Sequence, residues 1–237
     1  METLIYENDT LKIIENVSTS IYRLEMKRQS MMLINSLVKT KLIGSAMVAE
    51  NYHRMKFRAS SVKSLAQFHE EQGVKSGGVC FTISVVANML LTLSMQLKYL
   101  IGEYSHTIFG YNTENIIVIN DVTFVVVCDE YFTEITNNKI QIRSPFTTTD
   151  FYVSPEMLKI ERLPSMVNYK TSYFSLGCLL LLFLSTREEL YKEYLKDKNV
   201  LTLIEGLDGR PIKGTKLYWT ILRCLDEVSE NRSIILI

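Results

Sequence analysis

Two polar residues flank a pair of short apolar runs near the middle of the sequence, and their side chains could bind metal or phosphate. Asn115 directly precedes the run Ile116 to Ile119, and Asp129 follows the run Thr123 to Val127, which is rich in β-branched residues. Hard cations such as Mg²⁺ take oxygen ligands of this kind. Asn120-Asp121 lies between the runs, and both residue types tolerate the backbone angles of a tight turn. The sequence therefore predicts a β-hairpin between two candidate ligands.

Composition excludes few classes of function, but it indicates the cellular compartment and the kinds of partner to expect. The chain has 237 residues, with 26 Lys plus Arg against 26 Asp plus Glu, so no net charge favours nucleic acid or an anionic membrane. The four cysteines lie far apart with no C-x-x-C pair, which is typical of reduced thiols in a cytosolic or nuclear protein. The stretch Val79 to Leu97 carries no charge but is too polar for a membrane span. We expect no spanning segment and no signal peptide.

The elements around the hairpin follow from apolar patterning. Three N-terminal runs, Leu11 to Ile14, Ile21 to Met26 and Met31 to Val38, indicate strands. Residues 43–72 are helical in composition, with Ser61 as a candidate N-cap. Three further elements are predicted: a loop over Gly73 to Gly78, a long helix over Val79 to Ile101, and helices over residues 187–237 that include Leu217 to Val228.

The central stretch resembles the catalytic centre of eukaryotic protein kinases, where H-R-D-x-x-x-x-N is followed by a hairpin and D-F-G. The resemblance aligns Asn115 with the kinase Asn and Asp129 with the D-F-G Asp. Ile108-Phe109-Gly110 then stands at His-Arg-Asp. The position of the catalytic base is therefore Gly110, which has no side chain to accept a proton.

Later segments extend the resemblance in the expected order. Ser154-Pro155-Glu156 is similar to the kinase A-P-E motif, and the resemblance pairs Glu156 with Arg232. Ser172 to Gly177 is similar to D-x-W-S-x-G, with Ser172 in place of the Asp that braces the catalytic loop. The run Asn168 to Phe174 also resembles the spindle-checkpoint Bub kinases, which would imply cell-cycle signalling.

The N-terminal third is a looser match to a kinase. The loop Glu15 to Ser20 stands where kinases carry a glycine-rich phosphate cover, but it contains no glycine. Lys39 ends the third run at the position of the phosphate-pairing lysine, with Glu50 as its candidate partner. A solvated lysine at a strand end explains Lys39 equally well, and another register places Asn35 there.

The resemblance implies an α+β, bilobal protein-kinase-like fold in a single domain. A reduced β-rich N-lobe would cover residues 1–72, and a mostly helical C-lobe residues 73–237. ATP would contact Lys39, Asn115 and Asp129, and Mg²⁺ would contact the last two, with binding weak or absent.

The implied function is that of a pseudokinase, a scaffold or allosteric regulator with protein partners and without nucleic acid. A divergent, active serine/threonine kinase and an unrelated α+β domain remain alternatives. The secondary structure of residues 116–127 distinguishes an unrelated domain from a kinase-like one, because a helix there would exclude the alignment with the kinase hairpin.

Overall fold

A five-stranded antiparallel sheet forms the N-terminal part of the chain in this computed structural model, which describes residues 1–76, 81–185, 189–207 and 212–235. The elements are β1 Glu2–Glu7, β2 Leu11–Asn16, β3 Ile21–Met26, α1 Met31–Val38, β4 Met47–Val48 and β5 Arg54–Arg58. The strand order is β1-β2-β3-β5-β4, and one helix, α1, follows β3.

Period-two alternation explains this sheet, since successive side chains of a strand point to opposite faces. On β3, Tyr22 and Leu24 are buried, whereas Arg23 and Glu25 lie on the outer face. Burial on the neighbouring strands follows the same alternation, so one face of the sheet packs on the core and the other meets solvent.

The predicted strand Met31 to Val38 is wrong, because these residues form helix α1. The Ser30 side chain caps the helix by accepting a hydrogen bond from the Leu33 N–H at 3.3 Å. Leu33, Ile34 and Leu37 are fully buried, and their spacing places them on one helical face.

The predicted helical composition of residues 43–72 is also wrong for its first half. Residues 47–58 form the hairpin β4–β5, in which Met55 and Phe57 alternate with exposed cationic residues. Ser61 is not a helix cap, since it precedes the strand β6, Val62–Ser64. The helix α2 begins at Leu65, and the Ser64 hydroxyl accepts the Gln67 N–H at 3.1 Å.

Helices and small antiparallel sheets make up the remainder, so the chain as a whole is α+β. A three-stranded sheet has the order β6-β8-β9, and two further ribbons pair β7 with β10 and β11 with β12. The elements are α2 Leu65–Ser76, α3 Ile83–Tyr104, β7 His106–Ile108, β8 Ile116–Ile119, β9 Thr123–Val126, β10 Phe132–Glu134, β11 Lys139–Ile142, α4 Pro155–Leu158, β12 Ser165–Asn168, α5 Thr171–Leu184, α6 Leu190–Asp197, α7 Val200–Leu207 and α8 Lys216–Cys224.

The bounds of three predicted elements differ from those in the structure. The residues expected to form a loop from Gly73 are helical as far as Ser76, and the rest of that loop lies outside the described residues. The long helix is confirmed as α3, although the described part begins at Ile83 and its end is Tyr104. Helices are confirmed in the C-terminal segment, with α8 ending at Cys224 rather than Val228.

Helix α3 is the central core element. By length and composition alone it could cross a membrane, but half of its most apolar window is buried inside the protein. Its polar side chains form hydrogen bonds with the backbone of β9. Gln96 accepts the Val126 N–H at 2.8 Å and donates to the Val126 carbonyl at 2.9 Å. Thr92 accepts the Phe124 N–H at 3.1 Å. The unpaired edge of β9 is thereby satisfied by side chains, as buried backbone groups require.

Candidate functional site

The predicted hairpin is confirmed as β8 and β9, which pair antiparallel. Asn120 and Asp121 form the turn with φ values of 54° and 60°, the left-handed region that a two-residue hairpin turn needs. At the other end, the Val127 N–H donates to the Asn115 carbonyl at 2.9 Å. The hairpin therefore brings the segments that carry Asn115 and Asp129 together at its open end.

Asn115 is almost completely buried and held by its own loop. Its N–H donates to the Asn112 side-chain oxygen at 2.8 Å, and its Oδ1 accepts the Asn112 N–H at 3.3 Å. Its Nδ2 is buried without a hydrogen-bond partner among the described residues. Oδ1 therefore has one donor and keeps a second lone pair, and the group left unpaired is an N–H donor, which cannot bind a metal.

Asp129 begins a short 3₁₀ turn, Asp129–Tyr131, and is half-buried. Its backbone carbonyl accepts the Phe132 N–H, while its carboxylate has no hydrogen bond or ion pair within the part of the chain that the structure describes. Of the two candidate ligands, Asp129 is accordingly the one whose side-chain oxygens accept no hydrogen bond from the described residues.

The space beside Gly110 is filled by an aromatic ring. Gly110 is buried, and a Cβ built on it would lie 2.4 Å from Cγ of Phe151 and 2.7 Å from its Cβ. Real side chains do not approach this closely. Phe151 is itself confined, with the Phe109 ring centroid 4.4 Å away and that of Phe146 5.4 Å away. No aspartate can therefore stand at Gly110 without moving an aromatic cluster.

The start of helix α5 holds the segment that contains Gly110. The Thr107 hydroxyl donates to the Ser172 hydroxyl at 2.9 Å, and Ser172 donates to the Tyr169 carbonyl at 2.9 Å. One turn later, the Ser175 hydroxyl accepts the Tyr111 N–H at 2.9 Å. Sequence reasoning included Ser175 in the motif Ser172 to Gly177 but gave a role to Ser172 alone, although Ser175 lies one helical turn after it.

Lys39 is not at a strand end, which corrects its predicted position. It is the exposed residue that ends helix α1, where its N–H donates to the Asn35 carbonyl at 2.9 Å. Among the described residues it has no ion pair or side-chain hydrogen bond, either to Asn115 or to Asp129. Asn35, the alternative, is on α1 and donates to the Tyr104 hydroxyl at 2.8 Å. Glu50 is exposed in the β4–β5 turn.

The third strand of the sheet carries no lysine in place of Lys39. Its one cation, Arg23, lies on the outer face and binds Glu2 through two hydrogen bonds of 2.9 and 3.0 Å. On the inner face, Tyr22 stacks on Phe57 with 5.8 Å between the ring centroids. The face turned towards the core is therefore apolar.

The loop Glu15 to Ser20 does not lie over Asn115, which is a second correction. It is the β2–β3 turn, and the Val17 N–H donates to the Met1 carbonyl at 3.2 Å, at the far end of β1. The opposite end of β1 reaches the site, where the Tyr6 hydroxyl donates to the Glu114 carbonyl. Burial raises the pKa of Tyr6 to about 12. Tyr6 of β1 therefore contacts the loop that carries Asn115.

The predicted contact between Glu156 and Arg232 is confirmed. The guanidinium nitrogens lie 2.6 and 2.8 Å from the two carboxylate oxygens, a bidentate arrangement. Arg232 is fully buried, lies over the Phe174 ring at 5.0 Å, and also donates to the carbonyls of Asp226 and Glu227. The pair ties the segment after the aromatic cluster to the C-terminal residues.

No protein-family model matches this sequence, and no curated protein matches it with statistical support. Conclusions about function therefore depend on the geometry of Gly110, Asn115 and Asp129 and on the surfaces around them.

Proposed function

We propose that this chain is a pseudokinase-like binding protein, which lacks phosphoryl transfer and acts through contacts with other proteins. The observation that carries the proposal is the Phe151 ring in the space beside Gly110, with 2.4 Å between Cγ and a built Cβ. A kinase uses an Asp there to accept the proton of the substrate hydroxyl. In this chain the position is part of an aromatic core.

Four features support the kinase-like, bilobal part of the proposal. In the N-terminal antiparallel sheet, a helix follows the third strand along the chain. A long buried helix precedes the central hairpin. The hairpin joins Asn115 to Asp129 with strands over residues 116–119 and 123–126, which argues against the alternative of an unrelated domain. The buried pair Glu156–Arg232 corresponds to the structural ion pair implied by the resemblance.

The phosphate-binding parts support loss of catalysis. A kinase pairs a lysine on its third strand with a glutamate on the following helix. Here the third strand has only Arg23, which is already bound to Glu2 and Glu25, and α1 contains no acidic residue. Phosphoryl transfer depends on positioned charge, so removing the base and both members of this pair weakens several contributions together.

The remaining residues do not fit a metal–nucleotide complex. Asp129 offers free carboxylate oxygens, but Asn115 presents an unpaired donor, and no Lys or Arg among the described residues forms an ion pair with Asp129. The inner face of the sheet is filled by side chains such as Tyr22 and Phe57. Binding of ATP with Mg²⁺ is accordingly expected to be weak or absent.

The cysteines support a cytosolic or nuclear setting. Cys128, Cys178 and Cys224 are free, buried thiols. Burial raises the pKa of all three, so they remain protonated and unreactive at neutral pH.

The test is thermal unfolding with millimolar ATP, with and without Mg²⁺ or Mn²⁺, on wild type and on Asp129→Ala. A ligand at a hundredfold excess over its Kd stabilises the folded state by about 2.7 kcal/mol, which would raise Tm by roughly 5–10 °C in a chain of this size. We expect no such rise and no phosphate transfer from ATP to a general protein substrate.

The opposite result would favour the alternative, a divergent serine/threonine kinase. A metal-dependent rise in Tm together with phosphate transfer, both abolished by Asp129→Ala, would overturn the proposed loss of catalysis. A metal-dependent rise without transfer would retain the proposal and correct only the expectation that nucleotide binding is weak or absent.

A further inference from the structure

The outer face of the five-stranded sheet carries more cationic than acidic side chains, although the chain as a whole has no net charge. Three of the cations, Arg54, Lys56 and Arg58, lie on β5 and are exposed. They alternate with the buried Met55 and Phe57, so all three point away from the core on one side of the strand. The rise of a strand places neighbouring members about 6.6–6.8 Å apart. We call Arg54, Lys56 and Arg58 the β5 cationic row.

The strands beside β5 add further positive charge to the same face. The β3–β5 register places Arg23 opposite Lys56 and Glu25 opposite Arg54, and Lys12 of β2 lies opposite Glu25 on the other side. Lys12 Nζ is 3.1 Å from the Glu25 carboxylate. The Nε atoms of Arg23 and Arg54 are 2.8 and 3.0 Å from the same carboxylate. One acidic side chain is therefore shared by three cations.

The other carboxylates of this face are at its far edge. Glu2 and Glu7 are on β1, which is separated from β5 by two strands, and Glu7 lies opposite Lys12. Lys56 and Arg58 form no ion pair and no side-chain hydrogen bond within the described ranges. The unbalanced positive charge of the face is therefore on these two residues of the β5 cationic row.

Two features favour a protein segment over nucleic acid or an anionic membrane as the ligand of this face. Proteins that bind single-stranded nucleic acid stack the bases on exposed aromatic rings. On the described strands of this sheet no aromatic side chain faces outward, since Tyr22 and Phe57 lie on the inner face. The Glu25 carboxylate lies among the cations, where it would repel the phosphates of a nucleic acid or a lipid surface. A protein segment can place a neutral side chain opposite Glu25.

We propose that the β5 cationic row binds an acidic segment of a partner protein, whose carboxylates face Arg54, Lys56 and Arg58. An extended segment with acidic residues at alternate positions presents its carboxylates at the spacing of the row, about 6.6–6.8 Å. Complementary charge of this kind accelerates association and selects against partners of the wrong sign. The inference deepens the proposed function, on which it rests, by assigning a surface that makes the protein contact.

The test is a fluorescence-anisotropy titration of the full-length chain against a labelled dodecapeptide that alternates glutamate with threonine. We expect binding of this peptide and none of the peptide that alternates lysine with threonine. A single-stranded heptanucleotide carries the same number of negative charges as the acidic peptide, and phosphatidylserine vesicles present an anionic lipid surface. Absence of binding to the acidic peptide would overturn the proposal, as would tighter binding of the heptanucleotide or of the vesicles.

Two double variants with the same change in net charge map the site. Lys56→Glu with Arg58→Glu should weaken binding of the acidic peptide at least tenfold. Lys192→Glu with Lys196→Glu reverses two exposed cations of α6 and should leave the affinity unchanged. Equal affinities of the two double variants would place the peptide elsewhere and refute the proposal. Thermal unfolding checks that each variant is folded.

A charge-conserving variant tests whether charge is the cause. Lys56→Arg with Arg58→Lys keeps both cations and should bind the acidic peptide as well as wild type does. A tenfold loss in this variant would refute recognition by charge, because the sign and number of charges on the row are unchanged.

The outcomes also separate this inference from the proposed function. Phosphate transfer abolished by Asp129→Ala would refute the pseudokinase assignment and leave binding of the acidic peptide at Lys56 and Arg58 standing. Absence of peptide binding, with no nucleotide effect on Tm, would refute the role of the β5 cationic row and leave the pseudokinase assignment standing.

Discussion

Adding a single methyl group at Gly110 should destabilise the fold, because the Phe151 ring already fills that space. In Gly110→Ala the new Cβ would lie 2.4–2.7 Å from three carbons of Phe151. The ring has little room to retreat, since it is 3% exposed and packs against Phe109 and Phe146. Overpacking a well-filled core typically costs about 1–3 kcal/mol. A cost of about 2 kcal/mol lowers Tm by roughly 4–8 °C in a chain of this length.

Gly102 provides the matched control. It lies in the last turn of α3, exposed, and a Cβ built there meets no atom of the described residues outside its own helix backbone within 4 Å. Glycine in a helix costs about 0.5–1 kcal/mol relative to alanine, so Gly102→Ala should be neutral or stabilising. Urea and thermal unfolding followed by circular dichroism compare the two variants directly.

A double-mutant cycle with Phe151→Ala tests whether the cost comes from this contact. Phe151→Ala alone removes a buried ring and should cost about 3–5 kcal/mol. In that background Gly110→Ala should cost less than in wild type, because Cγ and Cδ2 of the ring are gone, although the Cβ contact at 2.7 Å remains. Equal stability of wild type and Gly110→Ala, or additive costs in the cycle, would refute the reasoning. Gly110→Asp should be at least as destabilised and should gain no phosphotransfer activity.

Three further changes have defined expected outcomes. Glu156→Ala leaves the fully buried Arg232 without its carboxylate and should cost about 3–5 kcal/mol of unfolding free energy in urea. Gln96→Met leaves the N–H and carbonyl of Val126 without their side-chain partner and should cost about 2–4 kcal/mol in the same assay. Burial raises the pKa of Tyr6 to about 12, so the unfolded state ionises first, and the stabilising contribution present below pH 10 is lost as pH rises towards 12. Tyr6→Phe should make the alkaline loss of unfolding free energy less steep.

Each of these outcomes has a comparison that can contradict it. Glu189→Ala breaks an exposed pair with Lys192 and should change stability by less than about 0.5 kcal/mol, so an equal effect in Glu156→Ala would contradict the buried-pair argument. Gln141→Met alters an exposed glutamine and should be nearly neutral. The same alkaline slope in wild type and Tyr6→Phe would mean that the Tyr6 hydroxyl is not protected by burial.

The parts of the fold that the sequence predicted are those specified by local chemistry. The β8–β9 hairpin follows from two β-branched runs around Asn120-Asp121, whose turn angles are those the residue types favour. Helix α3 follows from the spacing of Val86, Leu90 and Leu93, all of which are fully buried. In both cases the signal for the element lies in neighbouring residues, although packing against the rest of the chain stabilises it.

The wrong predictions have identifiable causes. The run Met31 to Val38 is apolar throughout, so periodicity alone does not separate a strand from a short helix, and the Ser30 cap was the available signal. Residues 54–58 alternate cationic and apolar side chains, but average composition over a longer window hid that alternation. The Phe151 ring in the space beside Gly110 could not be predicted, because the two residues are far apart in sequence and come into contact only in the folded chain.

The position of Phe151 connects the proposed loss of catalysis to the packing of this segment. The ring that fills the space beside Gly110 belongs to the same cluster as Phe109 and Phe146. A side chain restored at Gly110 would therefore displace that cluster, so the loss of the base position and the formation of the aromatic core are one structural change.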